Sequence, residues 1–238
     1  MKPKQTLKIA LDIAMTVLLM LLMAYELIGR AAHEWIGASM FALCALHHAL
    51  NRRWHAAALR GKYTPLRVLQ TALALLVLIA MLCSMASALM ISRNVFDFLN
   101  IRGLRGVGRR LHMLSAYWGF VLMSLHLGVH WAMLLAMARR AFPSASRVRP
   151  RVAQAAGACV ALYGAYAFVC RSIPEYLFLR TEFVFFDYQE PLILFFVDYL
   201  AVMGLFVWVG HYCARACKHL GGAKPGRHAA GPFPTKGA

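Results

Sequence analysis

Several runs of twenty or more mostly apolar residues follow one another along this chain, more than a water-soluble fold of 238 residues can bury. A helix needs roughly 20 such residues to cross the hydrocarbon core of a bilayer. The runs predict six helices, at about 6–29, 34–53, 66–92, 110–138, 152–170 and 190–214. Pro65, Pro150 and Pro191 sit just before or just inside helix starts, where a missing backbone N–H costs little. The expected architecture is all-α: an integral membrane six-helix bundle, residues 1–220, followed by a Gly-, Pro- and Lys-containing tail, residues 221–238, expected to be a disordered cytoplasmic segment. The first run, Leu7 to Ile28, is too long for the core of a cleaved signal and no small-residue cleavage site follows it, so it is expected to be a retained helix.

The formal charge of +17 invites a nucleic-acid reading, but the basic residues cluster in short loops between apolar runs, the pattern of the positive-inside rule. No nucleic-acid partner is expected. One side collects 18 Lys and Arg and the other 8, which predicts a multi-pass protein of a bacterial-type inner membrane with both termini cytoplasmic. Residues 30–33, 93–110 and 171–190 then face outward.

Ionisable residues inside membrane helices are costly and call for a reason. Among the ten histidines, only two pairs are separated by 14 residues: His33 with His47 and His112 with His126. Each pair falls on one predicted helix, the second and the fourth. Fourteen residues are four turns less about 40°, so the two imidazoles of a pair share a face, about 21 Å apart along the axis. Helices two and four run in the same direction, so His33 meets His112 near the outside and His47 meets His126 near the inside. This predicts two non-covalent b-type haems, each held between two histidines, in a bis-haem four-helix core. Paired imidazoles leave no open iron position for oxygen. Covalent attachment is not expected, because the six cysteines are scattered and no C-x-x-C-H occurs.

The residues around the histidines allow further assignments. Gly119 lies midway between His112 and His126, where a glycine lets a flat macrocycle approach the backbone; Met40 lies midway between His33 and His47. Ordinary helix packing explains both equally simply. Arg30, Arg109 and Arg110 near the outer pair, and Arg52 and Arg53 near the inner pair, are candidates for the haem propionates. His48 is an alternative to His47 as the inner ligand, and His130 lies one turn beyond His126, suited to a propionate, a quinone or a proton path. A different reading takes His126–His130 and His47–His48 as parts of a non-haem di-iron oxidase or desaturase; that chemistry needs its ligands at one membrane level.

The segments HEWIGASMFALCALHHALNRRW, RRLHMLSAYWGFVLMSLHLGVHW and EFVFFDYQEPLILFFVDYLAVMGLFVWVG resemble the flavinylation-associated cytochrome family, and the resemblance covers nearly the whole chain. It implies a transmembrane electron conduit serving an oxidoreductase system rather than a stand-alone enzyme, with His33, His47, His112 and His126 as iron ligands. It also implies a flavin-bearing extracytoplasmic partner. The donor on the other side is expected to be a quinone or a cytoplasmic-side reductant. The 171–190 loop mixes Glu175, Glu182, Asp187 and Glu190 with six aromatic residues. It reads either as an interfacial belt or as a docking site in which Glu175, Glu182 and Asp187 steer that partner.

Overall fold

The computed structural model describes residues 3–58, 60–99, 101, 103–141 and 149–221. The expectation of a disordered tail falls on residues outside that set, apart from Gly221, which ends a helix. The described residues form helices α1 (Pro3–Met23), α2 (Tyr25–Ile28), α3 (Arg30–Leu50), α4 (Arg52–Ala58), α5 (Pro65–Ile91), α6 (Arg105–Ala141), α7 (Arg149–Cys170), α8 (Ile173–Leu177) and α9 (Leu192–Gly221), with one short 3₁₀ turn at Asp97–Leu99 and no strand.

Local chemistry accounts for the main boundaries. The first apolar run does not continue as one helix to residue 29: it stops at Met23, and after one turn of α2 the chain reverses at Gly29, whose φ of 83° suits a residue without a Cβ. Thr64 caps α5, its hydroxyl accepting from the Arg67 backbone N–H at 3.3 Å, with Pro65 in the first helical position. Helix α6 has 37 residues, roughly 55 Å of length, against a hydrocarbon core of about 30 Å. Its extra turns carry Arg105, Arg109 and Arg110 at one end and Arg139 and Arg140 at the other, where such residues remain in water.

Helices α1, α5, α6, α7 and α9 are long and apolar enough to cross a membrane. Many of their large side chains point outward, among them Ile13, Leu76, Leu162, Val169 and Ile193, an exposure that water does not favour and lipid does. Helix α3, with 21 residues, is also long enough, but Arg30, His33, Glu34, His47 and His48 deny it an apolar stretch like those of the other five. This is the fold of a multi-pass helical membrane protein.

Two packing zones divide the bundle. In one, α6 packs on α5 and α9, and α9 on α7, at distances only glycine permits: a Cβ on Gly128 would lie 2.4 Å from the Val207 carbonyl oxygen, and one on Gly210 2.5 Å from that of Leu125. Small residues at helix crossings are the usual means of close approach in a membrane. In the other zone α1 packs on α3 and α3 touches α5, whereas α3 and α6 are not among the closely packed pairs. The two helices that carry the 14-residue histidine pairs are thus held apart.

Candidate functional site

The gap between α3 and α6 is a cavity of about 520 Å³, walled by α1, α3, α5 and α6 and covered by segments around residues 91–96 and 182–186. Its size falls in the range of small-molecule and cofactor sites. His33 and His112 both line it, and their ring centroids are 5.9 Å apart with the planes at 74°. At a metal–imidazole bond of about 2 Å, an iron shared by two imidazoles sets their centroids roughly 6 Å apart. The walls between are soft and apolar: Met23, Met40, Met81, Met85, Met113 and Met123 all face the cavity. Thioether side chains adapt readily to an irregular or flat partner.

The histidines are held in a pattern. His112 Nδ1 lies 3.2 Å from the Ser84 carbonyl oxygen and 3.1 Å from Ser87 Oγ, while the Ser87 hydroxyl donates to the Cys83 and Ser84 carbonyls. With Nδ1–H donating to Ser84, the Nε2 lone pair remains free to bind a metal, the usual role of a ligand's outer partner. At the other level His47 Nδ1 lies 2.8 Å from Asp12 Oδ1, which leaves its Nε2 free in the same way. His48 instead faces His55, with 3.1 Å between their ring nitrogens. Of the two candidates, His47 is therefore the one tied into the α1–α3 contact. The remaining histidine of each pair, His33 and His126, buries its Nδ1 with no hydrogen-bond partner among the described residues. A buried polar atom without a partner is costly, and such atoms mark places where another group belongs. His126 is within electrostatic reach of His130, His47, Asp12 and His48, and its ring lies 4.9 Å from that of His130.

The other expected site residues divide. Met40, Gly119, Arg30 and Arg109 line the cavity. Gly119 faces open room, since a Cβ there meets only Ala80 at 3.7 Å. Arg110 does not line it; its guanidinium pairs with Glu182 at 3.3 Å. Arg52 and Arg53 are exposed at the start of α4 and are not part of this cavity. Several residues that do not stand out in the sequence belong to the site. Gly37 sits one turn beyond His33 on the same face. Arg93 and Arg105 add positive charge to the lining. Glu34, next to His33, accepts from Ser92 Oγ at 2.7 Å, from the backbone N–H groups of Arg93, Asn94 and Val95 at 3.1, 2.9 and 2.9 Å, and from Asn94 Nδ2 at 3.0 Å. A carboxylate seated in successive backbone N–H groups fixes the α5–α6 connection beside the cavity.

The acidic residues of the 171–190 loop are largely engaged within the protein. Glu182 pairs with Arg110 and Glu175 with Arg180, each at 3.3 Å, and Asp187 accepts from the Gln189 N–H at 2.8 Å. Arg171 binds both Glu190 and Asp198, and the hydrogen bond to Glu190, foremost, raises its pKa. Asp198 also accepts from Tyr163 at 2.5 Å. Paired carboxylates carry little free field, which leaves the exposed aromatics Phe178, Phe183, Phe185 and Tyr188 as the more distinctive part of that face.

Comparison with protein-family models, with curated proteins and with solved structures gives no match to this chain. The site is therefore judged on its geometry. Among the described residues no three His, Cys, Asp or Glu side chains converge as a metal-binding group. A di-iron centre needs such convergence, whereas a haem sandwiched between imidazoles needs only two facing ligands. The cavity and the 5.9 Å histidine pair fit a haem.

Proposed function

We propose that this protein carries electrons across a bilayer through two b-type haems, and the observation that supports it most is the pair His33 and His112 facing each other across an apolar, methionine-lined cavity. In this reading α3 is the sixth membrane helix, because its polar residues are turned to a cofactor and to the α1 interface. His33 and His112 hold the outer haem; His47 and His126, 14 residues further along the same two helices, hold the inner one. Arg30 and Arg109 are placed to meet propionates of the outer haem. When bound, haem iron supplies reversible one-electron chemistry.

This chain's own residues bind, orient and insulate. Ser84 and Asp12 fix the tautomer of one histidine at each level, the methionines exclude water, and Glu34 pins the connection beside the outer site. As in the flavinylation-associated cytochromes that the sequence resembles, the extracytoplasmic partner is a flavin-bearing protein, and the donor on the other side is a quinol or a cytoplasmic-side reductant. The exposed aromatics of the 178–188 segment, rather than its paired carboxylates, form the contact offered to that partner.

The test is transmembrane electron flow in sealed vesicles. Haem-loaded protein reconstituted with ferricyanide trapped inside and dithionite outside, both membrane-impermeant, is expected to bleach the ferricyanide. His33→Ala should abolish the excess rate over protein-free vesicles. Bleaching no faster than in protein-free vesicles, with the protein inserted and haem-loaded, contradicts the conduit.

A further inference from the structure

The two histidine levels differ in the charge of the group that holds the anchored ligand. At the outer level the acceptors for His112 Nδ1–H are neutral, the Ser84 carbonyl and the Ser87 hydroxyl. At the inner level the acceptor for His47 is the carboxylate of Asp12, half exposed and one turn from Lys8 on α1. It is the one acidic residue of that helix. Asp12 is also held in register: one turn away on α1, Lys8 Nζ donates to Asn51 Oδ1 at 2.7 Å, and Asn51 Nδ2 donates to the His47 carbonyl at 2.9 Å. His47 is thus gripped from its ring and from its backbone by one face of α1.

We propose that Asp12 is a positioning residue that holds His47 as a strongly donating ligand and so sets the inner haem at a lower potential than the outer one, an inference that rests on the bis-haem reading. A carboxylate accepting from Nδ1–H raises the basicity of Nε2, and a more basic ligand beside a negative charge stabilises ferric over ferrous iron. The outer cavity has the opposite bias. Arg30, Arg93, Arg105 and Arg109 line it against three carboxylates: Glu182 is paired with Arg110, Glu34 is occupied by backbone N–H groups, and Glu26 accepts from the Tyr188 hydroxyl at 3.4 Å. Positive surroundings favour the reduced form, which carries one charge less. An electron delivered at the His47–His126 level by a cytoplasmic-side or quinol donor then moves downhill to the His33–His112 level, the inner iron being oxidised as the outer one is reduced, with no proton required. The chain is built to pass electrons outward.

The experiment is spectroelectrochemical titration of the purified holoprotein and of Asp12→Asn, with haem counted in each. His47→Ala identifies which component is the inner one. The inner component of the unsubstituted protein should titrate below the outer. Asp12→Asn, which keeps the shape and loses the charge, should raise the inner component by at least tenfold in its reduction equilibrium, about 59 mV for one electron, and leave the outer one in place. An inner component that titrates above the outer, or an inner potential unchanged in a fully loaded Asp12→Asn protein, overturns the proposal. Should Asp12→Asn lose the inner haem, Asp12→Glu decides: retention of the inner haem at its low potential supports the carboxylate, and its loss there too refutes a charge-based role. Fewer than two haems in the unsubstituted protein is a failure of the bis-haem reading itself, a distinct outcome.

Discussion

Replacing His33 or His112 by alanine is expected to remove one and the same redox component, and replacing His47 or His126 the other, each variant losing one of two haems. The grouping follows from geometry. His33 and His112 lie on different helices yet face one cavity with centroids 5.9 Å apart, and the second member of each pair lies 14 residues on, about 21 Å away along its helix. With one imidazole removed, only one histidine would remain to hold a haem at that level, so the loss should be complete for that component. Redox titration of the four variants reads the result. If His33→Ala matched His126→Ala instead, α3 and α6 would have to run in opposite directions, and the two-level arrangement would fail.

Gly128→Leu is expected to be among the most damaging substitutions away from the histidines. A Cβ at this position would lie 2.4 Å from the Val207 carbonyl oxygen and 3.0 Å from the Gly210 Cα, so a side chain there must drive α6 and α9 apart along their whole crossing. Overpacking in a filled core costs about 1–3 kcal/mol per site, and here the obstacle is backbone rather than a flexible side chain, which places the effect at the upper end. Because α6 carries His112 and His126, haem retention should fall with stability. Gly119→Ala is the control: its Cβ meets only Ala80 at 3.7 Å, and alanine favours a helix over glycine by about 1 kcal/mol, so the fold should be unharmed. Thermal denaturation in detergent measures both. A Gly128→Leu protein that melts with the unsubstituted one would show that the close α6–α9 crossing is not required.

What could be read from the sequence, and what could not, divides along the range of the interaction. Apolar runs placed all six long helices, because each run reports its own burial. The turn near residue 29 was legible, but the earlier stop of α1 at Met23 was not: a run that continues past Met23 to Ile28, interrupted there only by Glu26, does not show where its helix breaks. The start of α3 at Arg30 was missed for the converse reason, since Arg30, His33 and Glu34 interrupt the apolar pattern while serving the cavity. His33 and His112 were legible as facing residues because each begins a 14-residue pair on one helix face and the two helices run in the same direction. Arg109 and Arg110 were not separable, as neighbours on a helix point about 100° apart and only the rotation of α6 decides that one lines the cavity and the other meets Glu182. Asp12 depends on a contact across 35 residues, which no local pattern records. The same holds for the loop carboxylates: as a cluster they suggested a steering field, but Arg110 and Arg180 pair with two of the three.

Haem content per chain tests the central claim most directly. Protein purified after haem-replete expression, assayed by its reduced-minus-oxidised spectrum and by acid-acetone extraction, should contain two extractable b-type haems per chain. One haem, or none, would contradict it.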